Sequence, residues 1–131
     1  QSPRDEYLDT YNRIDIALDP FPYSGGTTTA EALWMGVPVI TKRGHSLLSR
    51  QSESILRNSG LADWVAENED DYVAKALYWV NNAKALPEKI NFRTQTLSSP
   101  VFDPLRFARN FEEALWGMWH KANSGLAPDR T

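Results

Sequence analysis

The run Ser24-Gly25-Gly26-Thr27-Thr28-Thr29, with the segments on either side of it, constrains this chain more than any other feature. Ahead of it lies Ile14-Asp15-Ile16-Ala17-Leu18, and Ile14 to Asp19 is short, rich in branched residues and closed by Pro20 and Pro22. That pattern predicts a buried strand. Behind it, Thr27 to Met35 puts Ala30, Leu33 and Trp34 on one helical face; Gly36 offers a C-cap and Pro38 stops the helix from continuing. Val37 to Thr41 reads as a second buried strand. A strand, a helix and a strand this closely spaced predict a βαβ unit, with a parallel sheet and a right-handed crossover.

A glycine turn between strand and helix leaves backbone N–H groups unpaired and converging on one point. The positive end of the helix dipole points there as well. Ser24, Gly25, Gly26, Thr27 and Thr28 are therefore candidate ligands for a phosphate-type anion, the hydroxyls adding donors to the amides. In open parallel sheets ligands sit at the carboxyl ends of strands, where Asp19–Thr29 and Lys42–Ser46 both emerge. Lys42, Arg43 and His45 offer positive charge to a diphosphate there, against the plainer reading of a solvated loop. The segment is not a P-loop, because no lysine follows the glycines, and it lacks the third glycine of a dinucleotide fingerprint. Thr28-x-x-Glu31 is also a capping-box pattern, which would occupy both side chains at the helix start. The alternative for Glu31, one turn into the helix, is to accept hydrogen bonds from a ribose diol.

Further along, Glu6–Asn12 reads as a short helix and Leu47–Asn58 as a helix stopping at Gly60; Trp64-Val65-Ala66 is a short third strand. Asn68 is an N-cap for a helix whose amphipathic face is Val73, Ala76, Leu77 and Val80. Leu86–Leu97 is another helix, with Pro87 early in it. Asp103-Pro104 opens a long final helix along which Phe107, Phe111, Leu115 and Trp119 recur. Trp34, Trp116 and Trp119 lie in helical patterns and are expected in the core; His120 is read as structural, and residues 124–131 as a disordered tail.

With 131 residues and 41% hydrophobic content, the chain supports one real core. A net charge of -3 without a basic run argues against nucleic acid as the main partner. The absence of cysteine excludes disulfides and thiolate metal sites and fits a reducing cytoplasm. No apolar stretch approaches the roughly 18 residues of a membrane span. No carboxylate pair stands out as acid and base, and no metal-ligand spacing is present. The chain starts at Gln1 without an initiator methionine, so a piece of a longer protein is expected.

Asp15 to Thr29, followed by Glu31-Ala32-Leu33-Trp34-Met35-Gly36-Val37-Pro38-Val39-Ile40-Thr41, closely resembles the C-terminal catalytic region of O-linked N-acetylglucosamine transferase and SPINDLY-like proteins, glycosyltransferase family 41. Leu48-Ser49-Arg50, Gly60-Leu61, Ser98 to Asp103 and Met118-Trp119 agree, so the resemblance runs from Tyr7 to about Lys121. It implies an α/β fold: the C-terminal part of a GT-B Rossmann-like domain, with a short parallel sheet, flanking helices and a long C-terminal helix. Residues 1–123 would form that portion of the nucleotide-sugar-binding domain, downstream of tetratricopeptide repeats in the parent. The implied activity is metal-independent transfer of a sugar from a nucleotide donor, UDP-N-acetylglucosamine or GDP-fucose, to serine or threonine of an acceptor protein. By the resemblance Thr27 and Thr28 hold the donor diphosphate and Glu31 the ribose, while Tyr7, with Arg4, falls near positions that approach ribose and base. Many members carry histidine where this chain has Gly26, so one phosphate donor is missing. The family's catalytic bases lie upstream, no catalytic residue is assigned here, and the piece alone is expected to be inactive and prone to self-association. The alternative is a GT-B interaction or scaffold module that has lost donor binding.

Overall fold

The computed structural model describes residues 3–124. Six α-helices and three short strands are described: α1 (Arg4–Asp9), β1 (Ala17–Leu18), α2 (Thr27–Trp34), β2 (Val39–Lys42), α3 (Gln51–Asn58), β3 (Val65–Ala66), α4 (Glu69–Asn81), α5 (Lys89–Leu97) and α6 (Pro104–Asn123). Single 3-10 turns link several of them. The strands form one parallel sheet in the order β1-β2-β3, with Ala17 opposite Val39 and Thr41 opposite Val65. The βαβ unit expected from the glycine turn is therefore present.

The core gathers round β2. Val39, Ile40 and Thr41 are buried, with Leu33 of α2, Leu56 of α3, Val37 and Phe92 of α5 packed about them. Burying a side chain of this size is worth about 1.5–3 kcal/mol, so the central strand concentrates the driving force of folding. Gly36 ends α2 at φ +78°, and a Cβ there would meet the carbonyl oxygen of Lys89 at 2.5 Å. Positive φ and close backbone approach both demand glycine, so the predicted cap also seats α5 against α2. Asn68 and Asp103 cap α4 and α6 as expected, accepting from Asp71 N–H and Arg106 N–H.

Several expectations are corrected. The first strand was expected buried over Ile14–Asp19; only Ala17 and Leu18 pair, and Leu18 is 58% exposed. β1 is an edge strand, so its far side has no neighbour among the described residues to cover it. The helix expected over Leu47–Asn58 begins with a 3-10 turn, Leu48–Arg50, and Pro87 lies ahead of α5 rather than inside it. α4 is rotated from its expected face. Tyr72, Ala76 and Trp79 turn inward, with Trp79 stacked on buried Trp64 at 4.5 Å, while Val73, Leu77 and Val80 are exposed. The larger aromatic area of Tyr72 and Trp79 outweighs three aliphatic side chains at the same period. Trp34, Trp116 and Trp119 are not in the core: all three are exposed, and every residue of α6 is solvent-facing. Helical spacing marks an apolar face without saying what covers it: among the described residues Trp34 meets only Phe102 and the Arg93 guanidinium at its ring, and Trp116 and Trp119 stay open. The tail predicted beyond Ser124 lies outside the described residues.

Candidate functional site

Asp19, just past β1, organises the turn. It is buried; one carboxylate oxygen accepts the Gly25 N–H at 2.7 Å and the other the Thr41 hydroxyl at 2.6 Å. Its backbone carbonyl accepts the Tyr72 hydroxyl at 3.1 Å. Burial, then the neighbouring Asp19 charge, push the Tyr72 phenol above its ordinary pKa, so it remains a proton donor. One aspartate thus fastens the glycine turn to β2 and α4. Gly25 permits the close fit: a Cβ there would lie 2.5 Å from Thr29 Oγ1 and 2.7 Å from Thr28 Oγ1.

The hydroxyls of this segment divide into two kinds. Ser24, 2% exposed, donates to the Leu48 carbonyl at 2.8 Å and accepts the N–H groups of Gln51 and Ser52 at 3.1 and 3.4 Å. It therefore caps α3 from a distance in sequence. Ser52 gives its only proton to the Gly25 carbonyl at 2.7 Å, so the 2.7 Å contact between Thr29 and Ser52 has Thr29 as donor. Thr27 and Thr28 are exposed, and among the described residues neither hydroxyl has a partner.

The start of α2 is equally open. Gly26 is its N-cap residue, with no side-chain cap. The capping box does not form: with Gly26 as N-cap, Thr28 and Glu31 lie inside the helix rather than at the N-cap and third positions. Glu31 binds elsewhere, with Arg4 Nη2 3.0 Å from Oε1 and the Tyr7 hydroxyl donating to Oε2 at 3.1 Å. The hydrogen bond with Tyr11, burial and the bond to Glu31 push the Tyr7 phenol well above its ordinary range, so it stays neutral and donating. Asp19, Tyr23, Gly25, Gly26, Thr27 and Thr28 line a cavity of about 300 Å³ over the open end of α2. At this cavity a helix dipole meets amides and two hydroxyls that have no partner among the described residues, the combination of donors that suits an anion.

Of the predicted site residues, the structure gathers Gly25, Gly26, Thr27 and Thr28 at this cavity, sets Ser24 behind it as a support, and joins Glu31 to Tyr7 on the same helix face. Lys42 does not join them. Its ammonium lies 3.0 Å from Glu69 Oε1 and 3.8 Å from the Phe21 ring centroid, and it lines cavities on the other side of the Phe21 turn. Sequence reasoning missed Asp19 and Tyr23. Asp19 looked like the last residue of a strand, although an acid at a strand's carboxyl end beside a glycine turn is itself a signal. Tyr23 gave no pattern that separated it from ordinary turn residues.

A parallel α/β sheet with an uncapped helix start at the strands' carboxyl ends has the architecture of a Rossmann-like domain, in which ligands sit at that end. The comparisons make it specific. The sequence profile of glycosyl transferase family 41 matches residues 2–111, and the chain belongs to that family. The probable UDP-N-acetylglucosamine–peptide N-acetylglucosaminyltransferase SPINDLY of Hordeum vulgare is 40% identical over 124 residues, covering 94% of this chain and 13% of its own. The probable UDP-N-acetylglucosamine–peptide N-acetylglucosaminyltransferase SEC of Arabidopsis thaliana is 31% identical over 116 residues, covering 87% of this chain and 12% of its own. A mutant O-GlcNAc transferase of Thermobaculum terrenum superposes with a TM-score of 0.81 at 37% identity, covering 96% of this chain and 24% of that one. The expected GT-B-type α/β fold is the one adopted, and relatives of this chain are glycosyltransferases. The chain spans about an eighth of the length of these curated relatives.

Proposed function

We propose that this chain is the donor-binding portion of a protein O-glycosyltransferase that moves N-acetylglucosamine from UDP-N-acetylglucosamine to serine or threonine of an acceptor protein. The observation that carries the reading is the unpartnered start of α2. Its amides, with the Thr27 and Thr28 hydroxyls, take the diphosphate and stabilise the charge that develops as the sugar leaves, the task a metal performs in other transferases. Glu31, with its carboxylate held by Arg4 and Tyr7, accepts the ribose hydroxyls. Gly25 and Asp19 keep the amides aimed; Asp19 acts only through them and is a positioning residue. We assign no group among the described residues to take the acceptor's proton and place that base in another part of the full-length protein. The choice of uridine and N-acetylglucosamine follows the activity named for the relatives.

The full-length protein incubated with UDP-N-acetylglucosamine and acceptor proteins is expected to add one N-acetylhexosamine mass to serine or threonine, read by mass spectrometry. No transfer with any nucleotide sugar, GDP-fucose included, would leave a scaffold role instead. The exposed apolar face of α6 and the free edge of β1 favour self-association of these residues on their own, which sedimentation would read.

A further inference from the structure

A second and larger cavity, about 770 Å³, opens on the other side of Gly26, between the glycine turn and α3. Its lining includes His45, Leu47, Arg50, Gln51 and Arg57, and Gly26 also borders the cavity over α2. The two spaces are neighbours, separated by a residue without a side chain. Nothing in the proposed donor site uses this one.

Its arginines are held in place. The Glu53 side chain, 4% exposed, accepts Arg50 Nε at 2.9 Å and Nη2 at 3.5 Å, Arg57 Nε at 3.0 Å, and pairs with Arg43 Nε at 3.5 Å. Glu67 adds contacts to Arg43 at 3.2 Å and Arg57 at 3.6 Å. Three guanidinium groups face two carboxylates, so the cluster keeps an excess positive charge. Among the described residues, Nη1 of Arg50 and Nη1 of Arg57 have no partner. A guanidinium fixed along one edge offers its remaining donors to an anion at little further entropic cost. Leu47, 85% exposed at the rim, and Ile55 add apolar wall. The Gln51 carboxamide lies against Gly26, 2.6 Å from where a Cβ would stand, and has no partner among the described residues. A charged, apolar and amide-bearing cleft matches a peptide segment better than a free inorganic ion.

We propose that this cleft receives the part of the acceptor protein flanking the modified serine or threonine, and that it selects segments carrying aspartate or glutamate there, through Arg50 and Arg57. The proposal rests on the glycosyltransferase reading and adds to it the chemistry of the acceptor. Carboxylate groups entering the cleft complete the coordination of the two guanidiniums. The apolar rim covers the aliphatic part of the segment, and Gln51 bonds its backbone beside the sugar.

The test measures fluorescence anisotropy on the full-length protein with two labelled serine peptides, identical except that the flanking Asp and Glu of one are Asn and Gln in the other. The acidic peptide is expected to bind about three- to tenfold more tightly, a preference that shrinks with added salt. Arg50→Gln with Arg57→Gln should abolish the preference. Because that variant leaves Glu53 only Arg43 as a partner and endangers folding, Leu47→Glu provides a second one, placing a like charge on the exposed rim while Glu53 keeps all three arginines. It too should abolish the preference while UDP affinity, titrated separately, is unchanged. Equal binding of the two peptides, or a preference that survives Leu47→Glu in the folded protein, overturns the proposal. An acidic preference in a protein that binds no nucleotide keeps the cleft and removes the donor reading.

Discussion

α2 and α3 are helices of eight residues that begin within a few ångströms of the same glycine turn, yet their first turns are finished differently. α3 is closed by Ser24, whose buried hydroxyl takes the N–H groups of Gln51 and Ser52. α2 is left open: no side chain caps it, and the two hydroxyls best placed to do so point to no partner among the described residues. Orphan donors at a helix start are ordinarily satisfied by side chains, water or ligands. The same six-residue run supplies both outcomes, Ser24 and Thr29 going to structure, Thr27 and Thr28 remaining available. A glycine turn is therefore not uniformly a binding loop. The proposed function rests on the donors that the fold does not consume.

Substitutions at the two helices should separate along that line. The largest loss of stability is expected on the α3 side from Glu53→Gln, which removes the charge that gathers three arginines. About 2–3 kcal/mol should disappear from the unfolding free energy in denaturant titrations. Burial alone would raise the Glu53 pKa, but hydrogen bonds from Arg50 and Arg57 and the Arg50 and Arg43 charges hold it below its ordinary value of 4.5. With the folded value depressed, this stabilisation is complete above the unfolded pKa and fades as pH falls through the folded one. The gap between wild type and Glu53→Gln should accordingly close in acid. Ser24→Ala comes next, at about 2 kcal/mol, because it leaves buried amides and a carbonyl unpaired. Thr29→Val should cost about 1 kcal/mol in thermal melts, the value of one buried neutral hydrogen bond, with nucleotide affinity little changed. If Thr29→Val weakened nucleotide binding as much as changes at Thr27 or Thr28, the division between structural and available hydroxyls would fail.

The sequence carried the βαβ unit, the Gly36 stop and the caps at Asn68 and Asp103, because each depends on chemistry within a few residues. It also carried the glycine turn ahead of α2, whose start the fold leaves uncapped. It did not carry what depends on partners distant in the chain. The rotation of α4 follows from Trp79 finding Trp64, and the exposure of Trp116 and Trp119 from the absence of a covering surface among the described residues. Within the site, Thr28 and Glu31 allowed either a capping box or ligand contacts. The helix starts at Thr27 with Gly26 as its N-cap, which excludes the box, and Arg4 and Tyr7 from α1 hold Glu31, a long-range fact that spacing does not encode. Asp19 was hidden for the same reason, since its role shows only once Gly25 and Thr41 converge on it.

Isothermal titration of UDP into the full-length protein, wild type beside Thr27→Val with Thr28→Val, bears most directly on the open helix end. Two hydrogen bonds to a charged diphosphate, each worth about 1.5–3 kcal/mol, predict an affinity loss of tenfold or more. The melting temperature should barely move, because neither hydroxyl has a partner to lose among the described residues. Unchanged affinity in a folded double variant would contradict the account.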